Sequence, residues 1–147
     1  MGDTQANKDL VMRFVDANNG PDIDAFDELL APDFTRHCPA TPGVEVDSPD
    51  GFKRFLQRSV TEMPDAHVKV EHIIAEGDMV ALWATYSGTQ EGPMGPFPPS
   101  GKSCSTDFGG VFRIEGGRIA ELWVTWDNLD ILAQLGHLKP PTPTGKA

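Results

Sequence analysis

Two cysteines in 147 residues are too few for a disulfide framework, and Cys38 and Cys104 show no Cys-x-x-Cys spacing, so no thiol-based metal or redox motif is present. A single bridge between them stays open. Positive charge is scarce as well: 12 Lys and Arg stand against 22 Asp and Glu, a formal net charge of -10. Neutralising phosphate needs clustered cations, so no nucleic acid and no membrane surface is expected as a partner. The acidic residues are scattered, which serves solubility more than recognition of a basic partner. Long apolar runs are missing: none approaches the roughly 18 residues of a membrane span, and Met1 to Lys8 has no apolar signal core. A cytoplasmic protein is the expectation. Gly109-Gly110 and Gly116-Gly117 lack the context of a phosphate-binding loop and read as turns, and His67 and His72 are oddly spaced on one strand, which points them to opposite faces, so no metal site is expected.

What is present is two kinds of periodicity in succession. From Asn7 to Asn18, Leu10, Val11, Phe14 and Val15 recur with helical spacing, after Thr4 as candidate cap and before Asn19-Gly20-Pro21. Ile23, Phe26, Leu29 and Leu30 repeat the pattern between Asp22 and Pro32, which predicts a helical hairpin. Asp33 to His37 is a short extended piece, and Ser48-Pro49 announces a third helix with Phe52, Phe55, Leu56, Val60 and Met63 as its buried stripe. Beyond Pro64 the period changes to two. His67–Ala75 and Met79–Ser87 form one predicted hairpin about Glu76-Gly77-Asp78, and Cys104–Ile114 and Arg118–Trp126 form another about Glu115-Gly116-Gly117. Between them the loop Glu91–Gly101, stiffened by Pro and Gly and carrying Met94 and Phe97, is a connector or a lid. The chain divides into one domain over residues 1–136 and a Pro-rich tail over 137–147.

Helices followed by antiparallel strands predict an α+β domain, a curved mixed or antiparallel sheet with the N-terminal helices across its concave face. Such a cone has room for an apolar small molecule. The last strand runs straight into Asp127 and a short helix closed by Gly136, so Asp127, flanked by Trp123, Trp126 and Leu129, is expected to be partly desolvated and to serve as acid/base, as helix cap, or as both. His37 is a candidate to hydrogen-bond a substrate carbonyl or pair with Asp127, or else a satisfied structural histidine. Phe34, Phe55, Trp83, Phe97, Asp107 and Trp123 are candidate cavity-lining residues. Gly109-Gly110 is a candidate bulge that would break the alternation beyond Asp107.

Several segments carry a resemblance: Asp22–Phe34, His37, Pro49-Asp50-Gly51-Phe52, Ile74–Asp78, Met94-Gly95, Pro98–Gly101, Phe112–Ile119, and Trp126-Asp127 with Leu132–Gly136. From about Lys8 to Gly136 the chain resembles the SnoaL-like polyketide cyclases. The resemblance implies the cone-shaped nuclear transport factor 2-like fold, which also hosts isomerases, dehydratases, epoxide hydrolases and non-enzymatic ligand-binding or dimerisation modules. It further implies a cofactor-independent intramolecular aldol ring closure on a polyketide ester, no metal, and Asp127 as acid/base. A homodimer or higher homo-oligomer is expected because an open curved sheet of this kind usually hides an exposed face. Where family members often carry histidine, this chain has Gln90 and Leu122.

Overall fold

Helix α1 (Thr4–Asn19) begins where the Asp3 carboxylate accepts hydrogen bonds from the amides of Gln5 and Ala6, one residue before the cap expected at Thr4. The structure, a computed structural model, describes residues 3–139. The second helix is shorter than its periodicity predicts. A 3₁₀ turn over Ile23–Ala25 leads into a single helical turn, α2 (Phe26–Leu29), and strand β1 (Leu30–His37) starts at once. Pro32, expected to end a helix, lies inside β1 where the register shifts between Leu30 and Thr35. Proline has no N–H for a ladder, so it occupies the irregular stretch. Nη1 of Arg118 donates to the carbonyls of Asp27 and Leu30 at the end of α2. Helix α3 (Pro49–Glu62) starts as its spacing predicts, with Ser48 Oγ accepting from the Gly51 amide and proline in the first turn.

Four strands follow, β2 (His67–Glu76), β3 (Met79–Thr89), β4 (Ser103–Glu115) and β5 (Arg118–Thr125), then helix α4 (Asn128–Gln134). The sheet order is β1-β5-β4-β3-β2, with β1 parallel to β5 and every other pair antiparallel. This is a mixed, curved sheet with α1 lying on β2 and β3 and α3 on β1, an α+β arrangement. The β4–β5 turn places Gly116 and Gly117 at φ 60° and 75°, the left-handed pair that a two-residue hairpin turn demands.

Two irregularities correct the strand phases read from sequence. Glu71 has no partner because the register shifts between Val70 and His72, so the alternation flips and both His67 and His72 are exposed, paired with Ser87 and Trp83 of β3. Gly109-Gly110 makes no bulge; the two glycines pair in register with Trp83 and Leu82. Along β4 the shift falls between Arg113 and Ile114.

The core lies between sheet and helices. Phe14 is 5.4 Å from Phe26, 5.3 Å from Phe52 and 5.4 Å from Phe112, ring centroid to ring centroid, in the edge-on and tilted geometries that aromatic rings favour. A smaller cluster of Met63, Cys104, Ile131 and Leu135 seats α4. There β4 outruns β5, whose pairing ends with Thr125 opposite Gly109, and the Gln134 side chain supplies the missing neighbour: its Oε1 accepts from the Ser105 amide at 2.8 Å and its Nε2 donates to the Ser105 carbonyl at 2.9 Å. Cys38 and Cys104 are both free. No described helix is long and apolar enough to cross a membrane.

Candidate active site

Alternation along the sheet sends one set of side chains inward: Leu82 and Tyr86 of β3, Thr106, Phe108 and Phe112 of β4, Leu122 and Val124 of β5, and Trp126 just beyond. With Phe14, Phe52, Phe55 and Leu56 from the helices they enclose a mostly apolar cavity of ≈ 570 Å³. Met94, Gly95, Pro96 and Phe97 complete the wall, so the Pro/Gly loop is a lid as well as a connector. Gln90, fully buried, pins it: Nε2 donates to the carbonyls of Gly92 (3.0 Å) and Phe97 (3.2 Å), while Oε1 lies 2.7 Å from Nε2 of His137. The His137 ring packs on Phe97 at 5.1 Å, so the first residue of the expected tail belongs to the lid; residues 140–147 lie outside the described chain.

Three polar side chains on this wall have chemical potential. Glu62 ends α3, and burial pushes its carboxyl up against the opposing pull of Arg58, whose Nε is 3.6 Å away. Its carbonyl accepts from the amides of Glu91 and Gly92 at the base of the lid. Burial, reinforced by the charges of Cys104, Glu62 and Asp65, raises the Tyr86 phenol well above its ordinary value, so it stays protonated. Its hydroxyl donates to Met63 Sδ at 3.3 Å, a weak acceptor. Arg36, 7% exposed, stands with its guanidinium carbon 4.2 Å over the Phe55 ring and 5.7 Å from the centre of Trp126, and its Nη1 donates to Thr41 Oγ1 at 3.2 Å. Among the described residues no group of three or more His, Cys, Asp or Glu is placed to hold a metal.

The profile of the SnoaL-like polyketide cyclases matches residues 8–135. The chain belongs to this family. Among curated proteins none matches. Solved structures similar to this SnoaL-like chain include TsrD from Streptomyces laurentii, 30% identical over 94% of this chain and 100% of that one, with a TM-score of 0.82. AclR from Streptomyces galilaeus, described as a candidate hydroxylase, is 27% identical over 97% of this chain and 87% of its own, at 0.81. IdmH from Streptomyces antibioticus, described as a candidate polyketide cyclase, is 29% identical over 88% and 98%, at 0.78. The fold is accordingly the nuclear transport factor 2-like cone of SnoaL-like cyclases.

Within the SnoaL-like cone only Phe55 and Phe97 of the expected lining residues reach the cavity. Phe34 is fully buried 5.9 Å from Phe52, in the packing behind the wall. Trp83, Asp107 and Trp123 are on the outer face of the sheet, with Trp83 47% and Trp123 38% exposed. Strand phase is the reason: Leu122, Val124 and Trp126 point in, so Trp123, Thr125 and Asp127 point out. Asp107 instead accepts from Thr85 Oγ1 at 2.9 Å. Asp127, expected to be partly desolvated, is exposed and caps α4 by accepting from the Asp130 amide at 3.1 Å. It lies between two wall residues, Trp126 and Asn128, without being one. His37 does not meet Asp127; its Nε2 is 2.6 Å from Glu121 Oε2 and its ring stacks on Trp123 at 5.4 Å, both on the outer face. That imidazole and Arg113 hold the Glu121 carboxyl below the usual carboxylate range. Glu62, Tyr86 and Arg36 escaped the sequence reading. For Glu62 a signal existed, since it follows the wall residues Phe55 and Ser59 at helical spacing.

Proposed function

We propose that this chain is a polyketide ester cyclase that closes a ring by intramolecular aldol addition, with the cavity as template and Glu62 as acid/base. The observation that carries it is the meeting, on one mostly apolar wall, of a carboxyl pushed up by burial and a half-buried phenol whose hydroxyl donates to a thioether. Glu62 takes the proton of an activated methylene, the resulting enolate carbon attacks a ketone of the same folded substrate, and a proton returns to the new alkoxide from Glu62 or through Tyr86. Every proton is moved by the chain or the substrate, so the reading requires no metal or nucleotide. Holding the two carbons together supplies several kcal/mol of the barrier, and acid/base help roughly 10²- to 10⁴-fold.

The test is turnover of a panel of polyketide esters by wild type, Glu62→Gln and Asp127→Asn. The expected result is a loss of about 10²- to 10⁴-fold for Glu62→Gln and a near wild-type rate for Asp127→Asn. The reverse pattern would return the acid/base role to Asp127, as the family resemblance implies. Binding of the esters without turnover by wild type would make the cone a ligand-binding module.

A further inference from the structure

The guanidinium of Arg36 is the one strong charge on the apolar part of the wall that no carboxylate answers among the described residues. Burial lowers its proton affinity; the neighbouring Cys38 opposes this in part, and the charge of Arg58 adds to it. Glu62, the carboxylate on the same wall, is engaged by Arg58, and none of the ion pairs formed between described residues includes Arg36. A guanidinium has five N–H donors; Thr41 Oγ1 accepts one of them and the neighbouring Cys38 sulfur, a weak acceptor, also interacts with it, which leaves most of the fork unclaimed. The rings of Phe55 and Trp126 hold it by cation–π attraction, which orients the plane without using its donors. Each of its side-chain nitrogens that lacks a protein partner keeps some exposure, since no buried side-chain nitrogen or oxygen is left unpaired among the described residues, and Arg36 lines the cavity. A buried cation without a counter-ion is unfavourable unless one arrives with the ligand.

We propose that Arg36 is an anion subsite of the cavity and that the natural ligand is an aromatic, mostly apolar molecule which, besides the ester and ketone of the ring closure, bears a free carboxylate that the guanidinium fork receives. This rests on the cavity being the substrate site, and it narrows the substrate to a polyketide that presents an acid at the Arg36 end of the cavity. The net charge of -10 disfavours anions in general, so a carboxylate preference would have to come from a local cation. Arg58 is the other candidate, but its Nε is turned to Glu62.

The experiment is a fluorescence titration of the intact protein with anthracene-2-carboxylate and, separately, with its methyl ester. Wild type is expected to bind the acid roughly tenfold or more tightly than the ester, the scale of a charge-assisted, forked hydrogen bond. Arg36→Met should bring the ratio to near one while leaving ester affinity almost unchanged, and Arg36→Lys, which keeps the charge and loses the fork, should fall between. Arg58→Met should keep the preference. Equal wild-type affinity for acid and ester, or loss of the preference in Arg58→Met but not in Arg36→Met, overturns the subsite and leaves the cavity as a ligand site. Failure of wild type to bind either probe overturns the cavity reading and the subsite with it.

Discussion

A carboxylate serves as a base where a substrate proton can reach it, and Glu62 and Asp127 differ in that respect. Glu62 faces the cavity with its carboxyl pushed up by burial, whereas Asp127 is exposed and spends an oxygen on the Asp130 amide. Because Glu62 must be ionised to accept a proton, kcat/KM is expected to rise with pH through an acidic limb above the ordinary glutamate value of about 4.3; the limb should vanish in Glu62→Gln. A limb unchanged in that variant would exclude Glu62 as its source. The same raised value makes Glu62 bind its proton more tightly folded than unfolded, so its contribution to stability declines as pH rises through that window. For Asp127 the expectation is structural. Asp127→Ala should cost about 1 kcal/mol by denaturant unfolding and Asp127→Asn close to nothing, because asparagine caps equally well.

At the scale of elements, the lid is held at three points. Its base docks on the last carbonyl of α3, its middle hangs on Gln90, and Phe97 rests on His137. The base is packed so closely that a Cβ added to Gly92 would come within 2.2 Å of the Thr61 carbonyl oxygen. Removing the Gln90 amide leaves the buried Gly92 carbonyl without its donor, a cost of about 1–3 kcal/mol. Gln90→Ala is therefore expected to lower stability by that amount and to raise KM more than it lowers kcat, since it loosens the wall without touching Glu62. An effect on kcat alone would place Gln90 in the chemistry instead. Position 90, where family members often carry histidine, here serves the lid.

For the molecule as a whole, the outer face of the sheet is the unusual surface. Trp83 lies against Gly109, within 3.4 Å of where a Cβ would be, and Trp83 and Trp123 are both substantially exposed, as is Ile74 on β2. Exposed apolar groups gathered on one face mark an interaction surface, and a second copy of the chain is the occupant we expect. Sedimentation or light scattering should report a dimer, and Trp83→Glu combined with Trp123→Glu should give a folded monomer. A wild-type monomer at micromolar concentration would refute this.

The order of helices and strands, the two glycine hairpin turns and the cap at Ser48 could be read from the chain because they rest on local periodicity and turn chemistry, which neighbouring residues dictate; whether the sheet is mixed or antiparallel stayed open until β1 was seen to pair in parallel with β5. Phe55 and Phe97 could be placed on the wall for the same reason. Which face of each strand looks inward could not be read, because alternation supplies two equivalent phases and only packing against the helices chooses between them. That choice put Trp126 inside and Asp127, Trp123 and Asp107 outside. The meeting of His37 with Glu121 joins β1 to β5, and the gathering of Arg36, Glu62 and Tyr86 around one cavity joins residues from β1, α3 and β3. Contacts at such separations leave no trace in local pattern, and they arise when the curved sheet closes over the helices.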